Sequence, residues 1–213
     1  MNAKDLEKID SKKMYQTYDK WPEIAKNGFD GDFKKFDVKG IDHIVFSGMG
    51  GSGSIGDVIS AILSKEDIHV SNVKGYHLPK TVDSNSLVVA TSISGNTKET
   101  LAVLEKAQKT DAKIAVFSSG GMMQKFSKTN NLFFQEISMI HSPRASFPKF
   151  LFSILNILKE IIPIKKIDVE ESISSLEITK NNIFSNNLTE ENISLKLAKW
   201  IKEIPLIYYP WGL

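Results

Sequence analysis

The chain has 213 residues, 41% of them hydrophobic and 24% charged, and its 27 basic side chains against 25 acidic ones leave a net charge of +2. That is length for one full domain with appendages, and the near balance of charge gives no electrostatic case for nucleic acid or an anionic membrane, which leaves a small ligand. With no cysteine anywhere, thiol catalysis, disulfides and cysteine-ligated metals are excluded.

Residues 1–40 read as a helical arm. The start, Met1 to Lys13, is polar and lacks the apolar core of a signal peptide. Ile9, Met14, Tyr15, Tyr18, Trp21 and Ile24 predict an interrupted helix over 9–28 whose aromatic face packs on the body, with Pro22 at a break or first turn. Residues 41–162 then alternate strand and helix. Strands are predicted at 41–46, 69–74, 86–92, 113–118 and 132–137, and helical patterns at 55–64, 101–107, 122–127 and 147–162. That alternation implies an α/β fold, a doubly wound five-stranded parallel sheet covered on both faces. The longest apolar stretch, 150–164, is interrupted by Lys159 and Glu160 and falls short of the ~20 residues that span a bilayer. A cytoplasmic protein is the expectation. From 163 to 213 two helical segments, 169–184 and 189–201, flank the polar Ser185-Asn186-Asn187 break and lead to an apolar strand over 204–213. That strand reads as the start of an incomplete second sheet, and its unsatisfied edges predict a homodimer, or aggregation, unless a partner sheet is supplied.

Two turns and one loop carry the candidate chemistry. After the first strand, Gly48, Gly50 and Gly53 match G-x-G-x-x-G, so a dinucleotide site must be weighed. The acid that should hold the ribose is missing from the second strand, where Lys74 is the one charge and could serve a 2′-phosphate. After the third strand comes Ser92-Ile93-Ser94-Gly95-Asn96-Thr97-Lys98-Glu99, hydroxyls running straight into a helix, with Asn96 and Glu99 in a capping arrangement. Free N–H groups, the positive end of the helix and the hydroxyls of Ser92, Ser94 and Thr97 suit a phosphate, although the same residues would serve an ordinary solvated junction. Turns after the first and third strands can flank the topological switch point, which would place both beside one crevice, and two short turns suit a compact phosphosugar better than a nucleotide. Of the 27 basic residues only Arg144 is an arginine. It sits in the loop His141-Ser142-Pro143-Arg144-Ala145, where its planar fork could meet a ligand or be a surface residue left by chance.

Phe46-Ser47-Gly48-Met49-Gly50-Gly51-Ser52-Gly53, Ser92 to Thr100 and Pro143-Arg144-Ala145 together resemble the sugar isomerase (SIS) fold, and more narrowly the archaeal-type bifunctional phosphoglucose/phosphomannose isomerases. The resemblance implies that Gly51, Ser52, Ser92, Ser94 and Thr97 bind the phosphate of a hexose 6-phosphate and that Arg144 is catalytic, stabilising an enediolate. It implies no metal and no cofactor. It also implies a second SIS domain that carries the catalytic glutamate and the ring-opening histidine, so 163–213 would be linker helices and that domain's first strand. Glu203, His43, His69, His77 and His141 do not sit in the family's motifs for those roles, His141 being the one histidine near the proposed site. A non-catalytic sugar-phosphate-binding module is the other reading of the same residues.

Overall fold

In a computed structural model, residues 3–202 are described; the strand expected over 204–213, and Glu203, lie outside them. The chain divides into two units, Asn27–Ile164 and the flanking residues up to Lys26 and from Lys165. The arm is three short helices, α1 (Ala3–Ile9), α2 (Met14–Asp19) and α3 (Trp21–Phe29), with Pro22 in the first turn of α3, where its missing N–H costs no hydrogen bond.

The sheet unit begins with β1 (His43–Ser47), α4 (Gly51–Leu63), β2 (His69–Val73) and β3 (Ser86–Ser92). It continues with α5 (Lys98–Ala107), β4 (Lys113–Ser118), α6 (Gly121–Thr129), β5 (Phe133–Glu136), a 3₁₀ turn at Arg144–Ser146 and α7 (Phe147–Ile157). All five strands are parallel, in the order β2-β1-β3-β4-β5. Every residue of β1 and β3 is buried, because a parallel sheet covered on both faces hides both sides of its inner strands. On one face Val45, Val88, Ala90 and Val116 pack against Val103, Leu104 and Ala107 of α5 and Met123 of α6. Elsewhere α4 packs on α7, whose Phe150, Ile154 and Leu155 are buried. Ser153 of α7 donates to the carbonyl of Gly28 at 3.2 Å and Asn156 to that of Phe29, satisfying orphan carbonyls at the end of α3.

At the amino end of the sheet, His43 is buried with its ring 4.5 Å from that of His69, and its Nε2 lies 3.1 Å from Ser71 Oγ. Both open their strands, at the opposite end of the sheet from the turns that follow β1 and β3.

The other unit adds α8 (Lys166–Ile183) and α9 (Ile193–Ile201), the latter capped by Asn192, whose side chain accepts the Leu195 N–H at 2.9 Å. The Asp19 carboxylate accepts from the N–H and hydroxyl of Ser185, at 3.1 and 2.5 Å. Tyr15, Tyr18 and Trp21 line an apolar groove with Leu176, Phe184 and Leu195. No helix among the described residues is long and apolar enough to cross a membrane.

Candidate functional site

The chain reverses its winding direction between β1 and β3, so the turns that follow these two strands part and leave a crevice at their carboxyl ends. After β1 the chain passes Gly48-Met49-Gly50 and enters α4 at Gly51, earlier than the apolar pattern predicts. Ser52 therefore stands in the first helical turn, where its Oγ accepts the Ile93 N–H from the other turn at 3.4 Å.

The turn after β3 is internally bonded. Ser92 Oγ and Thr97 Oγ1 are 2.8 Å apart, the Gly95 N–H donates to Ser92 Oγ at 3.1 Å, and the Asn96 N–H donates to Ser94 Oγ at 3.3 Å. Here the expected capping arrangement fails. Thr97, not Asn96, is the residue before α5, and its hydroxyl is taken up by Ser92. Asn96 instead reaches the next turn, its Oδ1 accepting the Met122 N–H at 3.0 Å, and Glu99 pairs with the Tyr76 hydroxyl, whose pKa it raises. Lys74, the charge that the dinucleotide reading offered to a 2′-phosphate, is paired with Asp57 of α4 at 2.5 Å.

Behind this turn stands Ser119-Gly120-Gly121. The Met123 N–H donates to the Gly95 carbonyl at 2.9 Å, and Ser119 donates twice to the Ile93 carbonyl, from N–H at 3.1 Å and from Oγ at 2.6 Å. The two turns touch at Gly95, with φ +70°, where an added Cβ would lie 1.9 Å from the Gly120 oxygen. Ser119 carries no signal in the sequence, since nothing local marks it as a partner of the turn after β3.

The third wall is the Arg144 loop, which hangs on buried Ser146. Ser146 Oγ donates to the carbonyls of Ser142 at 2.8 Å and Ile140 at 3.0 Å, and accepts the Ile140 N–H at 2.8 Å. Arg144 itself is exposed. Together these walls enclose a cleft of about 480 Å³, within the size range of small-ligand sites. Gly51, Ser52, Ser92, Ser94, Thr97 and Arg144, all six residues singled out in the sequence, line it. Among the described residues, His141 does not line it, and neither does any carboxylate or imidazole, so Arg144 is the one ionisable group of the described walls. Two helix N-termini, of α4 and α5, open on it without a side-chain cap bond, which gives an anion-favouring end to the cleft. Among the described residues no cluster of three or more metal-ligating side chains occurs.

Residues 39–133 match the family model of the SIS domain. The chain carries a SIS domain. It is 32% identical over 182 residues to a bifunctional phosphoglucose/phosphomannose isomerase of Thermoplasma acidophilum, covering 84% of this chain and 53% of the relative. To the protein of the same name from Aquifex aeolicus it is 33% identical, covering 88% of this chain and 53% of that one. The chain thus spans about half the length of the curated relatives it matches. Among solved structures, the C-terminal domain of glucosamine-fructose-6-phosphate aminotransferase from Francisella tularensis superposes with a TM-score of 0.58 at 17% identity, over 79% of this chain and 54% of that one. That likeness is one of fold.

Proposed function

We propose that this chain forms the phosphate-binding part of an aldose-ketose isomerase that interconverts glucose 6-phosphate, with mannose 6-phosphate as a second substrate, and fructose 6-phosphate. One observation carries the reading: the two hydroxyl turns and the only arginine converge on a single cleft. In this reading Gly51, Ser52, Ser92, Ser94 and Thr97 hold the phosphate through hydroxyls and backbone N–H groups. Arg144 faces the sugar. A base takes the proton from the hydroxyl-bearing carbon next to the carbonyl and returns one to the former carbonyl carbon, while a proton passes from the hydroxyl oxygen to the carbonyl oxygen, and the guanidinium stabilises the negative charge that develops on the paired enediolate oxygens. The reading requires no metal or organic cofactor.

Among the described residues lining the cleft there is no carboxylate or imidazole to act as the base. We place it in a second SIS domain, with 163–213 as linker helices and the first strand of that domain, and read the whole as a cytoplasmic homodimer in hexose metabolism. With no carboxylate or imidazole among the described lining residues, the same cleft also suits a second reading, a module that binds sugar phosphates without converting them. Titration calorimetry with fructose 6-phosphate, glucose 6-phosphate and unphosphorylated glucose tests the shared part, and binding of glucose as tight as that of its phosphate would remove it. Solvent deuterium uptake at the carbon next to the carbonyl, measured with the complete gene product, separates enzyme from sensor: binding without exchange leaves the sensor.

A further inference from the structure

The backbone geometry around Ile93 assigns a task to a residue outside the cleft, and the assignment rests on reading the cleft as a phosphate site. The Ile93 carbonyl receives two donors from the same residue, the Ser119 N–H at 3.1 Å and the Ser119 hydroxyl at 2.6 Å. The peptide joining Ile93 to Ser94 is trans, so its C=O and N–H point in opposite directions. Ser119 directly follows β4, and β1 lies on the other side of β3. A carbonyl pinned toward β4 therefore aims the Ser94 N–H toward β1, where Gly51 and Ser52 form the opposite wall. The next two N–H groups are used within the turn, Gly95 on Ser92 and Asn96 on Ser94 Oγ. The Ser94 N–H has no hydrogen bond among the described residues. Two donors on one carbonyl also polarise the peptide and make its N–H a stronger donor.

We propose that Ser119 is a positioning residue for the substrate phosphate, its hydroxyl aiming and polarising the Ser94 N–H that donates to a phosphate oxygen. Ser119 touches no ligand. Its role is distinct from merely tying the two turns together, because the Ser119 N–H, Met122 and Met123 bonds to the turn remain when the hydroxyl is removed.

The test is titration of the full chain with inorganic phosphate and with fructose 6-phosphate, in wild type, Ser119→Ala and Ser119→Thr, with thermal midpoints recorded for each. Ser119→Ala is expected to weaken both ligands by the same factor, about 5-fold, the size of one modest hydrogen-bond contribution. The threonine variant, which keeps the hydroxyl, should bind within about 2-fold of wild type. In ¹⁵N–¹H spectra, the downfield shift of the Ser94 amide on adding phosphate should shrink in Ser119→Ala and return in Ser119→Thr. The proposal is overturned if the alanine variant binds both ligands as wild type does, or if the Ser94 amide responds identically. It is equally overturned if the threonine variant binds as weakly as alanine, or if loss of affinity merely follows loss of thermal stability. A wild-type chain that binds neither phosphate nor fructose 6-phosphate overturns the phosphate-site reading instead, a result distinguishable from all of these.

Discussion

Replacing Gly95 with alanine tests the packing that shapes the cleft. Gly95 has φ +70°, and an added Cβ would stand 1.9 Å from the Gly120 oxygen and 2.8 Å from its carbon, both backbone atoms that cannot swing aside. The left-handed conformation alone costs a non-glycine residue about 1 kcal/mol. Relieving the contact must push the two turns apart and stretch four bonds between them: Met123 to Gly95 at 2.9 Å, Met122 to the Asn96 side chain at 3.0 Å, and the two from Ser119 to Ile93 at 3.1 and 2.6 Å. At about 1 kcal/mol each, and with some bonds partly kept, the total comes to roughly 3–4 kcal/mol. Gly40 supplies the control, since its φ is +74° but a Cβ there meets nothing within 4 Å. Gly40→Ala should carry the conformational cost alone. For a chain of this length the thermal midpoint moves about 2–4 °C per kcal/mol, so Gly95→Ala should lower it by about 10 °C and Gly40→Ala by about 3 °C. Circular dichroism melts of the two variants measure the difference directly. If the two midpoints fall together, the close approach of the β3 and β4 turns is not what holds the phosphate-side wall.

Ser94→Ala combined with Thr97→Ala removes two hydroxyls from the cleft and should weaken hexose 6-phosphate binding by about 3 kcal/mol, more than 100-fold, in a calorimetric titration; unchanged affinity would remove the site. In the assembled enzyme, Arg144→Lys should cost roughly 2–4 kcal/mol in kcat while KM moves little, because a point charge fits paired enediolate oxygens poorly; a loss seen only in KM would make Arg144 a ground-state phosphate ligand. Burial, followed by the neighbouring His69, lowers the pKa of His43 from its usual 6.5, against weaker opposition from Asp83 and Asp42. The unfolded chain then binds the extra proton, so the contribution of His43 is present above about pH 6.5 and lost as pH falls below it toward the lower folded-state value; the melting-point drop on acidification should be smaller in His43→Gln.

What was legible in the sequence is what the chain encodes locally. The run Leu87-Val88-Val89-Ala90, followed by hydroxyls, reads as an inner parallel strand because such a strand is buried on both faces, and all seven residues of β3 are buried. The strand-helix alternation allowed a switch point between the first and third strands, and the strand order β2-β1-β3-β4-β5 puts one there, so the two turns meet. The start of α4 was misplaced at Ile55 because three glycines argue against helix by propensity, while the fold begins the helix at Gly51 and brings the chain close between Gly48 and Ser52, where a Cβ on Gly48 would lie 2.8 Å from the Ser52 backbone. Asn96 misled for a different reason. Its spacing to Glu99 fits a local cap, but its partner is the N–H of Met122, 26 residues on, and no local pattern announces a bond that the sheet order creates. Ser119 and Ser146 were invisible on the same account: one holds a carbonyl of a turn from another strand, the other folds its own loop by bonding three backbone groups. The groups that face a ligand are set by the chemistry of one turn, whereas the groups that aim them belong to neighbouring turns joined only by the tertiary fold. A variant search guided by sequence motifs alone would therefore reach Ser94 and Thr97 and pass over Ser119, although the direction of the Ser94 N–H depends on it.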